Sequence, residues 1–134
     1  MIRKFAALLL CGLLACSPAF AQGEDAEAEP GTLRLPPPIY EPELLRLAQV
    51  MGSLAFLRAL CEADDAEHWP ERMRALIEAE GPARAERLAG AYNRGYTTFA
   101  LTYRICTPSA EMAIARYLEE GERLSRTIAG RYGS

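Results

Sequence analysis

Between Leu88 and Cys106 the residues Leu88, Tyr92, Gly95, Phe99, Tyr103 and Cys106 recur three or four positions apart. That spacing lays them along one side of a helix, an aromatic stripe closed by a thiol. A stripe this apolar has to be covered, so the segment predicts the hub helix of a bundle. It is expected to open at Pro82, behind the Gly81-Pro82 break, and to run to Cys106.

Three other segments carry the same period. A first helix is expected from Pro42-Glu43 to Cys61 or Glu62, with Leu44, Leu47, Ala48, Met51, Leu54 and Ala55 on one face and Val50 and Leu57 widening it. A shorter one should run from Pro70 to Glu80, with Trp69, Met73, Leu76 and Ile77 inward. Thr107-Pro108 reads as an N-cap and first turn of a last helix ending near Arg131, its stripe formed by Ala110, Ile114, Tyr117, Gly121, Leu124 and Ile128. Gly95 and Gly121 fall on inward faces and mark a close crossing of backbones. No strand-like alternation, no internal repeat and no membrane-length apolar run after the first twenty residues is visible. The fold class is therefore all-α, a small bundle of about four helices over residues 42–134.

Ahead of the bundle, Arg3 and Lys4 precede an apolar run from Phe5 to about Ala15 that is too short to span a bilayer. Ser17-Pro18-Ala19-Phe20-Ala21 then has the small-x-small form of a signal-peptidase site, so residues 1–21 read as a signal peptide. Leu13-Leu14-Ala15-Cys16 offers a competing lipobox, in which Cys16 would be lipidated and the chain would become an outer-membrane lipoprotein. Either way the folded part is expected to work in the periplasm. Residues 22–41 read as an arm, first acidic and flexible through Glu24, Asp25, Glu27 and Glu29, then stiffened by Pro36, Pro37 and Pro38.

Removing the leader leaves two of the four cysteines, Cys61 and Cys106. Two thiols in an oxidising compartment predict one disulfide, and an up-down-up run of the first three helices puts both at the same end. Of the 15 lysines and arginines, Arg3 and Lys4 also leave, so 13 arginines face 18 acids and the net charge moves from -3 to -5. Nucleic acid is an unsuitable partner for such a chain.

The residues that could carry chemistry are few. His68 is the only histidine, set in a polar turn with Asp64, Asp65 and Glu67, which supports neither a hydrolytic triad nor a metal site. No cofactor motif is present. Arg58 falls inside the apolar face of the first helix, where a guanidinium needs an acidic or carbonyl partner. From Arg87 to Ala110 there is no Asp or Glu, while Arg94 and Arg104 interleave with Tyr92, Tyr96, Phe99 and Tyr103. Asn93, Thr97 and Arg104 lie opposite the aromatic stripe, a cationic face suited to acidic neighbours within the fold or to an external anion.

The pieces Phe56-Leu57-Arg58-Ala59-Leu60-Cys61, Asn93-Arg94-Gly95-Tyr96 and Thr102-Tyr103-Arg104-Ile105-Cys106-Thr107-Pro108 resemble an uncharacterised family of short exported proteins of alphaproteobacteria, over about Tyr40 to Tyr132. The resemblance implies export and the two cysteines and supplies no activity. The expected function is thus a non-enzymatic binding or envelope-associated module that engages a protein or envelope component, with Arg58, Asn93, Arg94, Tyr103 and Arg104 as candidate residues. The alternatives are a periplasmic chaperone or stress protein, and a carrier of a small anionic ligand held by Arg58, Tyr103 and Arg104.

Overall fold

A computed structural model describes residues 37–133. The expected signal peptide, the candidate lipidation residue Cys16 and the acidic part of the expected arm lie outside them. Four helices account for the fold: α1 (Glu41–Leu60), α2 (His68–Glu80), α3 (Pro82–Ala100) and α4 (Pro108–Tyr132). No strand occurs among the described residues.

The hub is α1 rather than α3. It packs against each of the other helices, whereas the backbones of α3 and α4 do not meet. Five of the six largest fully buried side chains, Leu44, Val50, Ser53, Leu54 and Leu57, belong to α1, and Leu88 of α3 is the sixth. The reason lies in composition: between Arg46 and Glu62 the only charge is Arg58, so α1 is apolar on nearly every side and has to be enclosed. The aromatic stripe of α3 covers one side of it.

Bare backbone fixes that contact. A Cβ on Gly52 would lie 1.9 Å from the Tyr92 carbonyl oxygen, and one on Gly95 would lie 1.9 Å from that of Gln49. Gly95 therefore marks a close crossing, but its partner is Gly52 on α1. At Gly121 an added Cβ would meet only the Val50 side chain, at 3.3 Å.

Cys61 and Cys106 are bonded, with Cα atoms 4.9 Å apart and a sequence separation of 45. Cys61 caps α1, and Glu62 beyond it takes a left-handed φ of 52°. This lets Glu62 N–H donate to the Ala59 carbonyl (3.1 Å) and Ala63 N–H to the Arg58 carbonyl (2.9 Å), satisfying the last turn.

Three ion pairs tie α1 to its surroundings, that of Glu41 with Arg87 of α3 and two made by arginines of α1 itself. Arg46 grips Glu120 of α4 with two bonds, Nε to Oε1 at 2.6 Å and Nη2 to Oε2 at 2.9 Å. Arg58 Nε donates to Asp65 Oδ1 at 2.6 Å in the turn before α2, supplying the acidic partner this half-buried guanidinium requires. The Arg46 hydrogen bond holds the Glu120 carboxyl below its ordinary range against the opposing effect of burial. At Asp65 burial pushes the carboxyl upward, and the hydrogen bond and charge of Arg58 outweigh it to leave it lowered. A depressed carboxylate stabilises the fold fully above its unfolded value and ceases to do so as pH falls through the folded one. Stability contributed by these pairs is thus expected to hold from neutral pH down to about 5 and to fall below about 4. Urea titrations across that window check it: Glu120→Gln should be less stable at pH 7 and show a shallower acid-side loss.

Candidate functional site

The segment expected to complete the hub helix instead forms an exposed tip. Two threonines loosen the end of α3 by turning hydroxyls onto its own carbonyls, Thr98 Oγ1 to Arg94 O at 2.8 Å and Thr102 Oγ1 to Thr98 O at 3.1 Å. Thr102 and Tyr103 N–H both reach the Phe99 carbonyl, at 3.0 and 2.9 Å, which tightens and ends the helix. Pro108 then holds Thr107 extended (φ -124°, ψ 163°), where its hydroxyl accepts from Ala110 N–H at 3.2 Å and caps α4. A helix continuous from Pro82 to Cys106 would leave no chain to make this reversal.

Within the tip the side chains divide. Tyr103 turns inward and stacks on Phe99 (centroids 5.9 Å apart), and Phe99 meets Tyr117 of α4 edge-on at 5.4 Å. Arg104 bonds the Ala100 carbonyl and lies 3.3 Å from that of Tyr103, a cation set at the negative end of α3. Leu101 and Ile105 are left facing water, 72% and 69% exposed, and Met112 on the first turns of α4 is 67% exposed. Arg94, Thr98 and Leu101 follow one another along the same side of α3, and Asn93 is exposed beside them. Arg87 pairs with the buried Glu41 at 2.9 Å, whereas Arg94 and Arg104 have no carboxylate partner among the described residues. The exposed Glu62 and Asp64 at this end belong to the α1–α2 turn, so the cationic side of the tip is the α3 side.

Of the sequence candidates, the tip brings together Arg94, Tyr103 and Arg104, with Asn93 nearby; Arg58 stands apart in its pair with Asp65. Leu101 and Ile105 escape sequence reasoning because the helical period runs straight through them. The signal is present in Thr97-Thr98 and Thr102 followed by Thr107-Pro108, residues that favour a stop.

A second feature is a groove of about 460 Å³ between α2 and α4. Leu47, Val50, Met51 and Leu54 of α1 form its floor, Trp69 and Arg72 one wall, and Leu118, Gly121, Ser125 and Arg126 the other. Arg58, Tyr103 and Arg104, the residues expected to hold a small anion, do not line it. Among the described residues no three His, Cys, Asp or Glu side chains gather as a metal site would require, and no helix there is long and apolar enough to cross a membrane.

No curated protein and no solved structure matches this chain. A family model described as "protein of unknown function (DUF2385)" matches residues 38–132, the whole bundle from the residues before α1 to the last of α4. The chain belongs to the DUF2385 family of proteins of unknown function.

Proposed function

We propose that the protein is an exported, non-enzymatic module that docks onto the anionic phospholipid surface of the envelope through the α3–α4 tip. One observation carries this reading: Leu101 and Ile105 stand out from a disulfide-braced loop on either side of Arg104, with Arg94 behind them and no acid from Arg87 to Ala110. Aliphatic side chains of this exposure gain by entering the acyl boundary, and each nearby cation adds about 1 kcal/mol against anionic headgroups. A long-range disulfide suits the oxidising compartment to which the leader would send the chain. The net charge of -5 expected once the leader is removed disfavours non-specific adsorption to an anionic membrane, so binding would be oriented by the tip and sensitive to salt.

Co-sedimentation tests this. Vesicles rich in phosphatidylglycerol are expected to pull down the protein, vesicles of phosphatidylcholine are not, and half-molar salt should release it. Leu101→Ser with Ile105→Ser should abolish sedimentation, and Arg94→Gln should weaken it several-fold, both with unchanged circular dichroism. Equal binding to neutral vesicles, or none to either, overturns the proposal.

A further inference from the structure

We propose that the groove between α2 and α4 is a binding site for a single-chain amphiphile with an anionic head, the chain lying along α1 and the head held by Arg72 and Arg126. This goes beyond the docking surface at the tip and shares no residue with it.

The groove is built by placement rather than by accident of surface relief. Its floor residues on α1 are spaced i, i+3, i+4 and i+7, a two-turn apolar ladder roughly 10 Å long at 1.5 Å per residue. Helices α2 and α4 both rest on α1 but their backbones do not meet, so a cleft runs between them above the buried Val50, Met51 and Leu54, with the half-buried Leu47 beside them. Gly121 keeps it open, because even a methyl group there would press on Val50 Cγ1 at 3.3 Å. Leu118, 38% exposed, lines the α4 wall, and the buried Trp69 closes the α2 side.

Charge at the mouth selects the ligand's head. Arg72 lies over the Trp69 ring, its guanidinium carbon 5.0 Å from the centroid, and has no carboxylate within ion-pair reach among the described residues. Arg126 reaches Glu122 at 3.2 Å, but both side chains are mostly in water, where such a pair holds weakly and is readily exchanged for a ligand anion. Two arginines against one glutamate leave the rim net positive, and Ser125 adds a hydroxyl donor. The size selects the tail. About 460 Å³ lies within the range of small-molecule sites, roughly 300–1,000 Å³. An amphipathic helix, about 10–12 Å across, would stand largely outside it, whereas a single alkyl chain fits within.

Trp69, the only tryptophan of the chain, makes the site self-reporting. The full-length protein titrated with decanoate below its micelle concentration should show a saturable change in tryptophan emission and a one-to-one heat of binding by calorimetry. Methyl decanoate and decyltrimethylammonium, which keep the tail and alter the head, should each bind at least tenfold more weakly. Gly121→Leu is expected to abolish binding by filling the floor. Arg72→Glu should weaken it tenfold or more, read by calorimetry because Arg72 also touches the reporter ring. If Gly121→Leu fails to fold, Leu118→Glu, at a position already partly in water, should abolish binding in its place by setting a carboxylate beside the tail. Absence of a saturable signal, equal binding of the cationic amphiphile, or undiminished binding in these groove variants overturns the proposal.

Discussion

Gly95→Val is expected to destabilise the bundle by more than about 3 kcal/mol, enough to leave little folded chain at 37 °C. The added Cβ alone would sit 1.9 Å from the Gln49 carbonyl oxygen and 3.0 Å from Ser53 N. Neither atom can rotate away, because both belong to the backbone of the helix around which everything else packs. Relief requires α1 and α3 to part, which opens voids around Leu88, Ala91 and Leu54. Gly52→Ala should behave alike, with its Cβ against the Tyr92 carbonyl, and the two variants should be non-additive because either one already separates the same pair of helices. Gly90→Ala, earlier on α3, is the control: its Cβ would meet only the flexible end of Arg94 at 3.4 Å, so the gain in helix propensity should stabilise by about 0.5–1 kcal/mol. Thermal and urea melts of the three variants check the ordering.

Periodicity carries most of the fold. Apolar spacing over Leu44–Leu57 and Ala110–Ile128, with prolines opening segments, is a local property of the chain, and the helices lie where it places them. The ends of α3 and the choice of hub are less legible. Hydrophobic spacing continues through Tyr103 to Cys106, because Tyr103 still packs inward after the helix has ended, so a helical stripe and a folded-back aromatic look alike on a wheel. The hub depends on how far apolarity wraps around a helix: α3 has the sharper stripe, but α1 is the helix with no side to give to water. Gly52 is hidden in the sequence for a related reason, since a glycine matters only through what lies opposite it. Within the candidate sites, the arginines can be found from the missing acids around them. Leu101 and Ile105 become visible only once the helix is seen to stop, and the groove depends on three helices at once.

Removing the disulfide by Cys61→Ala with Cys106→Ala is expected to cost about 4 kcal/mol, the loop-closure entropy of a cross-link spanning 45 residues. Against the 5–15 kcal/mol typical of a whole domain this is large, and it should lower the urea midpoint by roughly 2 M. The gain arises mainly in the unfolded chain, so the slope of the urea transition should rise as the opened chain unfolds to a larger ensemble. A second consequence is local. Cys106 is the anchor of the α3–α4 tip, joining it to the cap of α1, and residues 101–106 form no helix of their own. Reduction under native conditions is therefore expected to raise amide hydrogen exchange at Leu101–Thr107 before the helices open, and to weaken vesicle binding through Leu101 and Ile105 while circular dichroism is still native. Exchange at the tip that is unchanged by reduction would instead show the loop held by the Tyr103–Phe99–Tyr117 stack alone, and would reduce the disulfide to a global staple with no part in presenting the docking surface.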